Sequence, residues 1–315
     1  MCAEPPTTLL DGLLARALPD TGPADDVALI AARYLPAPLH QRLPADPTQL
    51  SGLRRAVRAW TCAAALPAAL GEDLQLTLGE AAANSVEHAY AGTREPGEFA
   101  CRLTHRGDGA IDVEVRDFGR WRPEPSNNCH RGRGLVLIRQ LATDVVIDPS
   151  PTGAQVRFRL RALPPAPPQP TGQVQEVHPT PAAPPTSAKL HVHQRPDGGR
   201  RLELRGDLDL AAATSLRSPL LDQLHAPGPV TVDLRGLDYL SSAGVGLLIQ
   251  ARQHAATHCT PLHLQLTPHS LVARVLAITG LEHAVPLATD VAHDGVKAVV
   301  GVAAPIFPLI RPPQA

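Results

Sequence analysis

The chain has 315 residues, 43% of them hydrophobic and only 3% aromatic, with a formal net charge of −1. That length suits two domains with real cores and excludes global disorder. The near-neutral charge and the scarcity of aromatics argue against a nucleic-acid binder held by phosphate contacts or base stacking, and against a polybasic membrane anchor.

The N-terminal piece, residues 1–36, places Leu9, Leu10, Leu13, Leu14 and Leu18 at helical spacing, and Val27 to Ala32 is a short apolar run that suits a buried strand. About 35 residues cannot make an independent core, so this piece needs a neighbour. Pro36, Pro38, Pro44 and Pro47 then interrupt any helix. A domain is expected over residues 48–162. It opens with a helix from Thr48 to Ala65 that carries Leu50, Leu53, Val57 and Trp60 on one face. A second helix is expected from Gly71 to Ala91. Ile111, Val113 and Val115 alternate with polar residues as in a half-buried strand, Leu135 to Leu141 reads as a helix, and Gln155 to Leu160 alternates again. Helices and strands do not alternate strictly, which favours an α+β sandwich of a mixed sheet and helices.

Residues 163–186 hold nine prolines and a single formal charge, Glu176. Such a stretch favours extended, polyproline-like backbone and reads as a semi-rigid linker. Beyond it, residues 187–290 alternate as a small α/β domain: strands at Leu202–Arg205, Val230–Leu234 and Leu262–Leu266, helices at Ala243–Ala256 and Leu271–Ile278, with Gly280 as a natural helix stop. Residues 291–315 form a tail without a clear pattern. Five dispersed cysteines suit free thiols in a reducing compartment, the first eight residues lack the regions of a signal peptide, and no apolar run could span a bilayer. A cytoplasmic location is the expectation.

Three elements of the first domain carry chemistry. Glu80, Asn84 and His88 lie at i, i+4 and i+8 on one helix face. The carboxamide of Asn84 can coordinate a hard cation such as Mg²⁺, and Glu80 can accept a proton from a hydroxyl; a solvated polar stripe would look the same. At the strand end, Asp117 can accept a bond from an exocyclic amine while Gly119 lets a flat ring approach the backbone, although Asp-x-Gly is also common in turns. Third, Arg131-Gly132-Arg133-Gly134 precedes an apolar helix, so its amides and the helix N-terminus make an anion site.

Together these elements resemble the N, G1 and G2 boxes of the GHKL ATP-binding fold, in particular those of the anti-sigma factor serine kinases of bacterial partner-switching systems; Leu78 to Tyr90 matches the N box of that family. The resemblance implies ATP and Mg²⁺ as cofactors, Asn84 as the Mg²⁺ ligand, Glu80 as base, Asp117 and Gly119 on adenine, and Gly132 and Gly134 around the phosphates. One departure stands out. Where the family shows Gly-Thr near the final strand this chain has Gly153-Ala154, which forgoes one hydrogen bond worth roughly 0.5–1.5 kcal/mol.

In the last domain, Gly206-Asp207-Leu208-Asp209 and Asp233 to Leu248 stand out, the latter ending a strand in Ser241-Ser242 at a helix start. Serine there is a good N-cap, and it can also be a phosphoacceptor. The run resembles the STAS domain of anti-sigma factor antagonists. The residue directly before the first glycine of the loop, which is the phosphorylated serine in that family, is Ala243 here. Either Ser242 serves instead or the domain is a non-phosphorylatable binding module.

Asp25-Asp26-Val27-Ala28-Leu29 resembles the C-terminal end of a PPM-type serine phosphatase domain, with Asp25 in the place of a metal ligand. A lone acidic pair cannot hold a two-metal site, so no phosphatase activity is expected. His254, His258 and Cys259 share a helix but offer no fourth zinc ligand, and Cys129-His130 lacks the support of a catalytic dyad. The expected function is a partner-switching regulator of a bacterial sigma factor, with an ATP-dependent serine kinase module and a STAS module. Its expected partners are a sigma factor, STAS or anti-sigma proteins, with a second copy of the chain admissible and neither nucleic acid nor membrane among them. The rival is a non-catalytic ATP-binding and STAS scaffold that sequesters partners.

Overall fold

The computed structural model describes residues 6–17, 28–30, 35–90, 97–119, 133–162, 186–196 and 198–281. Helix α1 (Pro6–Ala17) follows the leucine spacing read from the sequence. The first domain then runs β1 (Leu39–Pro44), α2 (Gln49–Ala63), α3 (Ala68–His88), β2 (Glu98–His105), β3 (Ile111–Asp117), α4 (Arg133–Leu141), β4 (Thr143–Ser150) and β5 (Gly153–Leu160). Its five strands pair in the order β1-β2-β3-β5-β4. Every pair is antiparallel, where a mixed sheet was expected, because short hairpin connections join β2 to β3 and β4 to β5.

Strand alternation decides which side of the sheet is covered. In β3, Ile111, Val113 and Val115 are buried, and by the same parity so is Asp117 at the strand end. Helices α2, α3 and α4 cover this side, closing a core of Leu53, Val57, Leu74, Leu78, Phe99, Leu103, Ile111, Ile138 and Phe158. Each such side chain contributes about 1.5–3 kcal/mol by leaving water.

The second domain runs β6 (Lys189–Gln194), β7 (Arg200–Leu208), α5 (Leu210–Asp222), β8 (Val230–Leu240), α6 (Ser242–Thr257), β9 (Leu262–Gln265) and α7 (Leu271–Ile278). Its sheet has the order β6-β7-β8-β9. The β6–β7 pair is antiparallel, and β7–β8–β9 are parallel because α5 and α6 supply the crossovers. Gly280 follows α7 with φ +70°, the left-handed stop read from the sequence.

Several expectations change. The proline-broken stretch 36–47 carries β1, an edge strand paired only to β2, with Pro44 at its end where a missing amide costs least. Strands β2 and β4 and helix α5, which contains Pro219, went unread. Ala28, Leu29 and Ile30 are exposed, Ile30 at 94%, so this part of the apolar run is not a buried strand. Asp25, Asp26, Cys129, His130, Arg131, Gly132, residues 163–185 of the linker and the 291–315 tail lie outside the described residues.

The two domains share their cores. Leu76 of α3 and Leu137 of α4 belong to the second domain's apolar cluster, and Leu210 and Ala243 pack into the first domain's. Arg274 of α7 reaches Asp73 of α3 at 2.6 Å. Among the described residues no helix is long and apolar enough to cross a membrane.

Candidate functional site

Helix α3 is apolar on more than one side, the pattern of a helix packed between two partners, with Glu72 and Glu87 left exposed. Leu74, Leu78, Ala81 and Ala82 pack on their own sheet. Leu76, Gly79 and Glu80 meet the second domain. Gly79 is required by the closeness of that meeting: a Cβ there would lie 2.3 Å from the Tyr239 hydroxyl. Tyr239, at the end of β8, is fully buried, and Arg54 of α2 lies over its ring at 4.7 Å.

Arg54 is the charged centre of the interface. Its Nε donates to Asp207 at 3.0 Å and its Nη2 to Asp209 at 2.5 Å, and all three side chains are at most 4% exposed. The second carboxyl oxygen of Asp209 accepts from the amide of Ala212 at 2.9 Å and so caps α5. Removing one partner from a buried ion pair of this kind leaves an uncompensated charge, at a cost of about 3–5 kcal/mol. The sequence reading missed Arg54. Its signal was a cation set among Leu50, Leu53 and Val57 on a helix face that should have been wholly apolar.

Glu80 has no solvent exposure. Its two carboxyl oxygens divide between two groups of one residue: Oε1 accepts the amide of Ser242 at 2.7 Å, and Oε2 accepts the Ser242 hydroxyl. Burial pushes the Glu80 carboxyl up to about 7, against the pull of these two hydrogen bonds. The two serines read from the sequence therefore separate in role. Ser241 is the N-cap of α6 and accepts from the amide of Gly244 at 3.2 Å. Ser242, the first residue of the helix, turns across the interface to Glu80. Helix α4 also starts against this carboxylate, and only a glycine allows it: a Cβ on Gly134 would stand 2.6 Å from Glu80 Oε2.

The remaining residues surround the same helix. Asn84 lies one turn beyond Glu80 on its face and is half-buried. Asp117, 6% exposed, accepts from the amide of Gly119 at 3.2 Å and from that of Ala154 at 3.0 Å. Burial raises the Asp117 carboxyl, and those amides oppose the rise. The position that lacks the expected threonine hydroxyl thus still serves Asp117 through its backbone. Gly119 is fixed by packing as well as by any ring it admits, since its Cβ would fall 2.1 Å from the carbonyl oxygen of Ala89. The Tyr90 hydroxyl accepts the amide of Phe118 at 3.0 Å and donates to the carbonyl of Glu98, tying the end of β3 to α3. Glu80, Asn84, Asp117, Gly119 and Gly134 are thus gathered around the C-terminal half of α3, and Gly132 lies outside the described residues. This set suits a nucleotide with a hard divalent cation: a carboxamide oxygen for the cation, a helix N-terminus for phosphate, and a carboxylate at a strand end for an amine.

Residues 43–160 match the family model of a histidine kinase-like ATPase domain, and residues 191–289 match that of the STAS domain, Mlab type. Among solved structures, the RsbU and RsbW domains of Rv1364c from Mycobacterium tuberculosis are similar over 40% of this chain, at 24% identity and a TM-score of 0.34. The similarity spans about a third of that chain's length (32%). An anti-sigma factor antagonist from Mycobacterium paratuberculosis is similar over 32% of this chain and 85% of its own, at 22% identity and a TM-score of 0.30. The unphosphorylated anti-sigma factor antagonist SpoIIAA is similar over 32% and 90%, at 18% identity and a TM-score of 0.29.

Proposed function

Residues 43–160 form a histidine kinase-like ATPase domain and residues 191–289 a STAS domain, and from that pairing we propose a partner-switching regulator whose kinase module acts on a STAS serine. The observation that carries the proposal is the Ser242 hydroxyl seated on the Glu80 carboxylate across the interface of the two domains. A general base must lie within hydrogen-bond reach of the proton it takes, and Glu80 does. A base that titrates near neutrality is also matched to that task.

The residues divide the work as follows. Glu80 accepts the proton of the Ser242 hydroxyl and leaves Oγ as the nucleophile. Bound ATP with Mg²⁺ would supply the γ-phosphoryl group, which would pass to Oγ with ADP as the leaving group. Asn84 would be the ligand for the cation, the amide end of α4 at Gly134 would hold phosphate, and Asp117 with Gly119 would hold the adenine ring. Gly132 is given the same role as Gly134 by the sequence pattern alone. Catalysis of this kind rests on positioning and charge neutralisation, which a docked acceptor and a fixed helix terminus supply. A phosphate on Ser242 would set negative charge against Glu80, and like charges within a few ångströms in a buried site repel strongly. The STAS domain would then leave its own kinase, freeing both surfaces for a sigma factor, an anti-sigma protein or another STAS domain.

A second reading is favoured by Ala243, which occupies the position where the antagonist family has its acceptor. In it the STAS domain is a plug, and the chain sequesters partners without transfer. Labelled ATP separates the two. The first reading expects label on serine in the intact chain and its loss in Glu80→Ala; the plug expects nucleotide binding with no label on protein.

A further inference from the structure

The STAS domain carries a second constellation at the end remote from Ser242. Helix α6 ends with His254 and His258 one turn apart, and His225, from the turn after α5, closes on them. The ligand nitrogens of the three rings all lie within 4.8 Å of one another, and Nε2 of His254 stands 3.0 Å from Nε2 of His225. The ring centroids are 4.6, 4.9 and 4.6 Å apart.

The backbone holds this arrangement. Thr260 Oγ1 donates to the carbonyl of Leu224 at 3.0 Å, and the amide of Thr260 donates to Ala255 at 2.8 Å. These bonds pin the residue before His225 to the segment just after His258. The amide of His258 in turn bonds His254 at 3.1 Å. Three imidazoles on two fixed segments are the preorganised part of a metal site.

We propose that His225, His254 and His258 bind one divalent transition-metal ion of the zinc class. Imidazole nitrogens suit Zn²⁺, Co²⁺, Ni²⁺ and Cu²⁺, whereas Mg²⁺ and Ca²⁺ prefer oxygen. Three protein ligands leave a fourth tetrahedral position for water or an external group. The sequence reading set the trio His254, His258 and Cys259 aside as a zinc site for want of a fourth ligand. The structure replaces Cys259 with His225, since Cys259 sits past the helix end with φ +53° and its sulfur is not among the converging atoms. Bound metal would clamp the α5–β8 turn to the end of α6.

The test uses the full chain without a polyhistidine tag and without nucleotide, titrated with Zn²⁺ by calorimetry and with Co²⁺ by visible absorption. One equivalent should bind, Co²⁺ should give the intense bands of a tetrahedral site, and Zn²⁺ should raise the melting temperature. His225→Ala and His254→Ala should each weaken binding by more than about tenfold and remove the bands. Cys259→Ser and the pair His191→Ala with His193→Ala should leave both intact. No saturable binding, or binding that survives the His225 and His254 changes, or binding lost with Cys259 or with the β6 histidines, would overturn the proposal.

Discussion

The two ends of α6 present opposite situations. At its start, Ser241 caps the helix while the half-buried Ser242 crosses to the fully buried Glu80 carboxylate. At its finish, three histidines face one another at the surface, with His225 and His258 exposed. The buried end gains its chemistry from a partner domain, and its electrostatics are strong because water is excluded. The exposed end needs no second domain, and water screens whatever charge it carries. One helix can therefore tie the STAS domain to the kinase-like ATPase domain at one end and offer an independent site at the other.

The largest expected effect lies at the buried end. Glu80→Ala removes the proton acceptor and Ser242→Ala removes the hydroxyl, and each should lower phosphoryl transfer by about 10²–10⁴-fold in a labelled-ATP assay. Equal labelling of the Ser242→Ala chain would move the acceptor elsewhere. Next is the grip on the domain. Arg54→Ala leaves Asp207 and Asp209 buried without their cation, and the docked form should lose about 3–5 kcal/mol. Small-angle scattering should then show a larger radius of gyration, and hydrogen exchange should quicken in the first turn of α6. Gly79→Leu should do the same by striking Tyr239, without touching any charge.

The pH dependence sharpens the contrast further. The folded chain holds Glu80 at about 7, above its ordinary value of 4.5, so the folded, docked state binds a proton that the unfolded chain releases. Stability from this group is therefore full below about 4.5 and declines as pH rises through 7. Transfer needs the carboxylate, so its rate should rise over the same window. A rate that is flat between pH 6 and 8 (a span on the order of one unit either side of the carboxyl) would separate Glu80 from the proton step. The smallest effect belongs to Ala154→Thr, which should tighten nucleotide binding by no more than about tenfold through one hydrogen bond.

What the sequence made legible follows the same division. Glu80, Asn84, Asp117, Gly119 and Gly134 were readable as candidates because local spacing places them, on one helix face or at an element's end, and the fold then brings those ends together. Asp207 and Asp209 stood out as a pattern, but their partner Arg54 lies about 150 residues away and looked like one more helix charge. The same holds for His225, which reaches His254, 29 positions further along the chain, across an intervening strand and helix. Strand β1 was hidden by its prolines, which an edge position tolerates. Tertiary pairing of polar groups far apart in the chain has no local periodicity, and this is why neither the Arg54 ion pairs nor the histidine cluster shows in the sequence.

The central claim is that the STAS domain lies on its own kinase through Ser242. Mapping the phosphate by mass spectrometry after incubation with ATP and Mg²⁺, at a series of protein concentrations, tests it most directly. The account predicts phosphoserine at position 242, formed with a rate constant independent of protein concentration. Phosphate at another serine, or a rate that climbs in proportion to protein concentration, would contradict it.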